Sequence, residues 1–311
     1  MDRIISVMGA PSSIGIKPYD DGSPRRLYLA PGVLRERGLL TSLDAKEAGD
    51  VVPPAGYRDV RRPRERPCNE EDVIVYSRKI AERIAAVASE GGFVLLLGGD
   101  CSILLGALLG FQRACRASMG LVYIDAHADF ATLDDSPSGS AASMCLALAT
   151  GRNDTALARL AGPDPLVRMA DVVHIGGRDD AEPWYGVNSL RASAALNLPQ
   201  ATIHEKGMAY AAYAALERID SDRGRKFWIH VDADVLDPAV MPAVDSPLPG
   251  GMNLDELTEL LGIIAQHPGA LGMQLTIYDP TLDLGHVCAS SLVTLLKNAL
   301  RDTHETIRGT R

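Results

Sequence analysis

The chain has 311 residues, of which 46% are hydrophobic and 23% are charged, and its formal net charge is −9. This composition is that of a folded globular protein, and the length is sufficient for one large α/β domain. The acidic balance disfavours binding to nucleic acid or to anionic membranes, and five cysteines without a CxxC pair indicate no disulfide framework.

The first part of the chain alternates predicted strands with predicted helices. Ile4 to Met8 is an apolar, β-favouring run that is too short for a signal peptide or a membrane span, so we expect a cytoplasmic protein. Asn69 is an N-cap candidate for a helix that Gly91-Gly92 ends. Phe93 to Leu97 is then predicted to be a buried strand, and residues 103–117 a helix.

Residues 50–67 combine four prolines with five arginines. Proline cannot continue a helix, so this segment is predicted to be irregular. A solvated loop or a contact between subunits is favoured over a binding site for an anion or an acidic partner.

The later part of the chain continues the alternation. His174 lies inside an apolar strand candidate and is predicted to be a packed core residue rather than a ligand. Asn253 and Glu256 have the spacing of a capping box at the start of a helix. Other elements are predicted as strands over residues 171–176, 201–203 and 271–278 and as helices over residues 210–219 and 287–300. The alternation favours a three-layer α/β/α fold with a mainly parallel central sheet, in a single domain that spans residues 1–311.

Two apolar strand candidates end in polar residues that are spaced by two. Residues 121–124 lead into Asp125, His127 and Asp129, and residues 227–231 lead into Asp232 and Asp234. Side chains two apart share one side of an extended chain, and ligands gather at the carboxyl ends of parallel strands. One such motif alone is more often a capped turn. Two of them together favour a bound cation, because buried carboxylates otherwise repel each other.

The ligand types indicate which ion the site would hold. Carboxylate and imidazole groups suit a divalent ion such as Mn²⁺. Asp125 and Asp232 are placed to bridge a pair of ions. Two ions roughly 3.5–4 Å apart would hold a hydroxide between them as a nucleophile.

Six motifs in the chain carry a resemblance to a known family. They are Gly98-Gly-Asp-Cys-Ser102, Asp125-Ala-His-Ala-Asp129, Ser138-Gly-Ser140, Ile175-Gly-Gly-Arg-Asp179, Asp232-Ala-Asp234 with Leu236-Asp-Pro238, and Ser246-Pro-Leu-Pro-Gly-Gly251. Their order and spacing resemble those of the arginase, agmatinase and formimidoylglutamase family, the ureohydrolases, over nearly the whole chain. The resemblance implies an arginase-like fold, a homo-oligomer (trimer or hexamer) and hydrolysis of a non-peptide C–N bond in a small molecule.

The resemblance also implies a set of metal ligands, and one of them departs from the family pattern. The implied ligands are Cys101, Asp125, His127, Asp129, Asp232 and Asp234. Most relatives have histidine where this chain has Cys101. A thiolate is softer than an imidazole, so Cys101 shifts the preference from Mn²⁺ toward Zn²⁺ or Fe²⁺. Either two ions bind with a sulfur ligand, or one ion dominates because the Cys101 site is the weaker.

Further departures lie in the implied substrate pocket. Ser140 stands where the resemblance implies an amide that holds a substrate carboxylate. Ala142 stands where it implies a proton-shuttling histidine, and Ile277 where it implies a glutamate that anchors a guanidinium. The carboxylate that would grip the α-amino group aligns with Ala181, which Asp180 and Glu182 flank. The implied substrate-binding residues are therefore Ser138, Ser140, Asp180 and Ser246, the last in place of a threonine.

These features predict a metal-dependent hydrolase of a linear amidine or guanidine, with Asp129 as the catalytic carboxylate that positions a metal-activated hydroxide. Ordinary L-arginine is not the expected substrate, because the anchoring groups are missing. Three alternatives remain open: a hydroxyarginine-type hydrolase in a biosynthetic pathway, a catalytically silent member acting as a scaffold or regulatory subunit, and a deacetylase-like amide hydrolase. The Asp-x-His-x-Asp arrangement disfavours the last.

Overall fold

A single parallel sheet forms the centre of the protein in a computed structural model, which describes residues 4–54, 64–115, 119–220 and 225–301. In chain order its strands are β1 (Ile5–Ala10), β2 (Lys46–Asp50), β3 (Phe93–Gly98), β4 (Gly120–Ile124), β5 (Val172–Ile175), β6 (Leu196–Leu198), β7 (Phe227–Asp232) and β8 (Ala270–Thr276). The order across the sheet is β2-β1-β3-β8-β7-β4-β5-β6, and every neighbouring pair is parallel. The predicted α/β class and parallel sheet are confirmed.

The helices follow from the same alternation along the chain. They are α1 (Ala30–Glu36), α2 (Leu39–Leu43), α3 (Glu70–Ser89), α4 (Ile103–Cys115), α5 (Cys145–Ala149), α6 (Val187–Arg191), α7 (Gln200–Lys206), α8 (Met208–Ile219), α9 (Leu254–Ala265) and α10 (Val287–Leu300). Within the described ranges, no helix combines the length and apolar character that crossing a membrane requires.

The central strands are buried along their whole length. Every residue of β3, β4 and β7 is buried, as a parallel sheet covered on both faces requires. Strands β4 and β7 are neighbours, and Ile124 pairs with Val231 in their register. The residues that follow these two strands therefore emerge side by side at the carboxyl edge of the sheet.

Two parts of the predicted secondary structure were wrong. Residues 201–203 belong to the helix α7 rather than to a strand, and the strand of this region is β6, immediately before Pro199. The edge strand β2 was missed because its sequence, Lys-Glu-Ala-Gly-Asp, buries only Ala48 and lacks an apolar run. Edge strands carry charged residues of this kind because charge blocks pairing with other chains.

The two predicted helix starts have different outcomes. Asn69 stands at the N-cap position of α3, but its backbone has φ 52° and its amide donates to the Ile14 carbonyl (2.7 Å) instead of capping the helix. At α9 the predicted capping box is present: Asn253 accepts from the Glu256 backbone N–H, and the Glu256 carboxylate accepts from the Asn253 backbone N–H.

Replacing Asn253 with alanine is expected to lower the free energy of unfolding by about 1 kcal/mol, because the Glu256 backbone N–H loses its acceptor at the start of α9. Urea denaturation of the wild type and variant measures this change. Asn253→Ser is the matched comparison, because a serine hydroxyl can accept the same bond from the Glu256 backbone N–H. A loss at residue 253 no larger than a few tenths of a kcal/mol would contradict the capping role.

Two further expectations concern single segments. His174 is buried on β5, where its ring contacts Asn197 Oδ1 (2.9 Å) and the His127 carbonyl (3.0 Å), so its prediction as a packed core residue is confirmed. The arginine- and proline-rich segment 50–67 lies partly outside the described residues, which exclude 55–63. Its role stays a prediction, and so does the helical state of residues 116 and 117.

Candidate metal centre

Three strand ends bring the candidate ligands together. Asp125 follows β4, Asp232 ends β7, and Cys101 lies three residues beyond β3. The loop that carries Cys101 requires glycine at residue 99, because a side chain there would meet the Ser12 carbonyl oxygen at 1.6 Å. The Cys101 loop is thus packed directly against the loop after β1.

The candidate ligands form two groups that share one carboxylate. Cys101, Asp125, His230 and Asp232 form the first, here called the sulfur group, and Asp125, His127 and Asp234 form the second, the imidazole group. Within each group, one potential ligand atom per residue lies within 4.8 Å of the others, and all of these residues are buried. The structure therefore brings together five of the six sequence-predicted ligands, with Asp125 common to both groups.

Backbone amides hold the carboxylates in place. Asp125 Oδ1 accepts from the His127 backbone N–H (2.7 Å), and Asp232 Oδ1 accepts from the Asp234 backbone N–H (2.9 Å). The Cys101 thiol donates to the other Asp232 oxygen (2.9 Å). Asp125 and Asp232 therefore each use one carboxylate oxygen to hold the turn that follows their strand. The second oxygen of each faces the centre of the site.

Burial and repulsion control the protonation of these groups. Burial raises the pKa of Asp232 well above its usual value, and the charges of Asp234 and Cys101 raise it further. Burial and the Asp125 charge also raise the pKa of Asp234, although His127 opposes them. Burial alone would lower the pKa of His127, but Asp234, Asp125 and Glu182 raise it well above the usual range. Without a cation, the site balances its negative charge by holding protons.

The donor set fits a divalent cation. Within the described part of the chain, no hydrogen-bond partner reaches Asp125 Oδ2, although this oxygen is buried. Burying such an atom without a partner is costly. Carboxylate, imidazole and thiol donors together suit Mn²⁺, Fe²⁺ or Zn²⁺, with the thiol favouring the softer ions.

His230 is the site residue that sequence reasoning missed. It was assigned to the strand interior, yet it stands two residues before Asp232, so the two side chains share one face of β7. Burial lowers its pKa, despite the opposing effect of Asp125. Extending the period-two pattern one step backward into the strand would have included it.

Asp129 lies beside the two groups but belongs to neither. Its Oδ2 accepts from the Tyr123 hydroxyl (2.7 Å), and the Cys145 thiol lies 3.5 Å from the same oxygen. Its backbone has φ 45°, a conformation that is uncommon for residues other than glycine. Burial and the Asp125 charge raise the pKa of Asp129 well above the usual value. The predicted roles of Asp129 as ligand and catalytic carboxylate stay predictions.

A cavity of about 380 Å³ opens onto the centre. Ser138, Ser140 and Ser246, three of the four predicted substrate-binding residues, line it. Asp180 does not line this cavity: its side chain is 64% exposed and pairs with Arg191. Glu182 lines the cavity instead, and its carboxylate lies 3.5 Å from His127 Nε2. The turn after residue 179 thus directs Glu182, rather than Asp180, inward.

Other lining residues show how the departures from the family pattern shape the cavity. Ala142 and Ile277 both line it and contribute apolar side chains at the positions where the resemblance implies histidine and glutamate. Arg25 and Asp245 also line it and pair with each other. The Ser140 hydroxyl accepts from the Lys17 backbone N–H (3.0 Å), which fixes its position.

Metal binding is expected to release protons, because the raised pKa values of Asp232, Asp234 and His127 mean that these groups hold protons that an ion displaces. Apparent affinity should therefore rise with pH. Titration calorimetry at one pH in two buffers of different ionisation enthalpy measures the number of protons. Identical heats in the two buffers would contradict the expectation.

Comparisons with known proteins agree with this architecture. A model of the arginase family matches residues 5–300. The arginase of Bacillus subtilis (strain 168) is 28% identical over 308 residues, which cover 96% of this chain and 98% of that protein. The arginase of Coccidioides posadasii (strain C735) is 30% identical over 311 residues, which cover 92% of this chain and 92% of that protein. The native structure of Bacillus caldovelox arginase has a TM-score of 0.84 at 25% identity, covering 97% of this chain and 99% of that one. By sequence and by fold, the chain belongs to the arginase family.

Proposed function

We propose that the protein is a metal-dependent hydrolase of a non-peptide C–N bond in a small linear amidine or guanidine other than ordinary L-arginine. The observation that carries this proposal is the pair of buried ligand groups that share Asp125 beneath a polar cavity. Membership of the arginase family supports the reaction class. Buried carboxylates at this density are costly for a purely structural role, which argues against a silent scaffold.

The ligand groups define the part that each residue plays. The sulfur group and the imidazole group would hold the ions, with Asp125 between them. Divalent ions, when bound there, supply Lewis acidity and lower the pKa of water. Asp129, whose Oδ2 accepts from the Tyr123 hydroxyl, would orient the attacking water. Mn²⁺ is the first ion to consider, with Zn²⁺ and Fe²⁺ favoured by Cys101.

The cavity argues against L-arginine as the substrate. A guanidinium buried against Ile277 lacks a carboxylate partner there, and deleting one member of a buried ion pair costs about 3–5 kcal/mol. Ala142 cannot protonate a leaving amine, whereas general acid–base assistance is worth about 10²–10⁴-fold. A substrate with a neutral head or a better leaving group, such as a hydroxylated guanidine, needs both features less.

Metal analysis and a product screen test the proposal. Protein purified without chelator and loaded separately with Mn²⁺, Zn²⁺ or Fe²⁺ is assayed for urea or amine release from amidines, guanidines, hydroxyguanidines and L-arginine. We expect bound ions and turnover of at least one non-arginine substrate. Protein that binds none of these ions after loading would end the proposal. If Asp129→Asn leaves every measurable turnover unchanged while metal and fold are retained, the turnover comes from a contaminant and the silent-member alternative is favoured.

Cobalt substitution is expected to reveal Cys101 as a ligand. Co²⁺ bound by the sulfur group should give a near-ultraviolet sulfur-to-cobalt charge-transfer band, which Cys101→Ser removes because the sulfur donor is gone. Cys145→Ser is the matched control, since Cys145 is also buried nearby but belongs to neither group. A band that survives Cys101→Ser but disappears in Cys145→Ser would contradict the assignment.

The assembly and location of the protein complete the proposal. We infer a homo-oligomer, a trimer or hexamer, in the cytoplasm, as the family resemblance and the sequence predict. Light scattering coupled to gel filtration measures the assembly.

A further inference from the structure

A buried chain of three side chains lies behind Asp125. Trp228 and His230 stand on one face of β7, and Gln274 on β8 is the register partner of His230. The Trp228 indole N–H donates to Gln274 Oε1 (3.0 Å), and Gln274 Nε2 lies 2.7 Å from His230 Nδ1. All three residues are fully buried, so water does not compete for the hydrogen bonds between them.

The Trp228 indole determines the direction of both hydrogen bonds among these three side chains. An indole N–H can only donate, so the carbonyl oxygen of the Gln274 amide must face Trp228. The NH₂ group of the amide therefore faces His230 and donates to Nδ1. An Nδ1 that accepts carries no proton, so the neutral ring carries its proton on Nε2. Turning the amide around would set two N–H donors against each other at Trp228.

The Nε2 side of the His230 ring faces Asp125. His230 Nε2 lies 3.7 Å from Asp125 Oδ2, and the ring is held by stacking on Tyr123, with centroids 4.2 Å apart and planes within 8°. The 3.7 Å separation fits either two ligands of one ion or an N–H that faces a carboxylate at slightly long range. The hydrogen bond at Nδ1 decides between them, because an Nε2 that bears a proton has no lone pair for an ion.

We propose that His230 is a positioning residue, which presents its Nε2–H to Asp125 Oδ2 and so orients the carboxylate common to both groups, and that it is not itself a metal ligand. Trp228 and Gln274 act by holding this tautomer. The sulfur group then binds its ion through Cys101, Asp125 and Asp232. The inference rests on the proposed function, since it takes Asp125 to be the shared ligand.

Nitrogen NMR of the histidine rings is the primary test. Long-range ¹H–¹⁵N correlation of ¹⁵N-histidine-labelled protein, metal-free and after Zn²⁺ loading, reports which ring nitrogen is protonated. His230→Gln identifies the His230 signals by their loss. We expect the Nε2–H form in both states. An Nδ1–H form, a doubly protonated ring, or an Nε2 resonance shifted by Zn²⁺ coordination would overturn the proposal.

Gln274→Glu tests whether the hydrogen bond from Gln274 sets the tautomer of His230. A carboxylate accepts from both sides, so Trp228 still has its acceptor while His230 Nδ1 now meets an acceptor instead of a donor. The variant is expected to reverse the tautomer and place the proton on Nδ1. A protonated carboxyl group would donate to Nδ1 and keep the Nε2–H form, as the Gln274 amide does, so infrared spectroscopy is used to establish whether the introduced carboxyl is ionised. If the folded variant keeps the Nε2–H form beside an ionised carboxylate, the assignment of direction through Gln274 is wrong.

Measurements of metal affinity and ion content distinguish a positioning role of His230 from a role as a metal ligand. His230→Ala is expected to keep the number of Zn²⁺ ions per chain and to lower their affinity about 10–100-fold, the usual effect of removing an outer partner of a ligand. His230→Gln should recover much of this loss, because its oxygen accepts from Gln274 and its NH₂ donates to Asp125. His204→Ala, a histidine outside both groups, is the control. Loss of one ion per chain in His230→Ala, or no recovery in His230→Gln, would overturn the proposal.

These measurements distinguish failure of the inference from failure of the proposed function. If the wild type binds no ion, the proposed function fails, while the tautomer of metal-free His230 is still read directly. If ions bind but the ring is in another form, the inference alone fails.

Discussion

Asp125→Asn is expected to remove metal binding from both ligand groups, because Asp125 is the one residue that they share. We expect the affinity to fall by more than the roughly 100-fold that removal of an outer partner can cause, and the activity to fall with it. The amide keeps an oxygen that can accept from the His127 backbone N–H, so the turn itself is preserved. Elemental analysis and calorimetric titration with Mn²⁺ and Zn²⁺ measure the loss.

The control for this variant is Asp180→Asn, which removes one carboxylate that is exposed and does not line the cavity. It should bind ions as the wild type does. An Asp125→Asn protein that retains full ion content would refute the shared-ligand assignment.

The double variant Ala142→His with Ile277→Glu is expected to gain hydrolysis of guanidine substrates, including L-arginine. The histidine supplies a proton to the leaving amine, a contribution of about 10²–10⁴-fold, and the glutamate supplies the missing partner for the guanidinium. Both positions line the cavity, so the new side chains meet the substrate. Urea release, measured as kcat/KM relative to the wild type, gives the gain.

The backbone at Ile277 makes this exchange feasible. Ile277 has φ 68°, which is strained for a β-branched residue, and its N–H donates to the Gly99 carbonyl (2.9 Å). An unbranched glutamate relieves part of that strain without changing the backbone bond. The control is Ala142→His with Ile277→Gln, which has the same shape without the charge. A gain of equal size in the control would show that the carboxylate contributes nothing to guanidinium binding.

The metal centre was accessible from sequence because its ligands follow a short-range rule. Asp125 and His127, like Asp232 and Asp234, lie two residues apart just after apolar strands, and alternation along an extended chain places such pairs on one side. The adjacency of β4 and β7 then brings the pairs together. His230 obeyed the same spacing, but one histidine inside an apolar run has no local feature that separates a packed ring from a ring facing the site.

The residues that line the cavity depended on the path of the loops. Asp180 and Glu182 differ by two positions in a polar turn, and nothing in the sequence of that turn favours one over the other. In the structure, Arg191 on α6 pairs with Asp180 at the surface, while Glu182 faces His127. Long-range partners of this kind decide which side chain of a loop points inward, because loops lack the regular periodicity of helices and strands.

By itself, the sequence determined the strand–helix alternation, the parallel sheet, and the paired carboxylates at the ends of two strands. These follow from local periodicity, since burial on both faces demands continuous apolar runs and a period of two fixes which side chains share a side. Only the tertiary structure decided that Asp125, and not also Asp232, is common to both ligand groups, that Glu182 replaces Asp180 in the cavity, and that Trp228 and Gln274 set the proton position on His230. Those relations join residues on different strands and loops, so they exist only once the chain has folded.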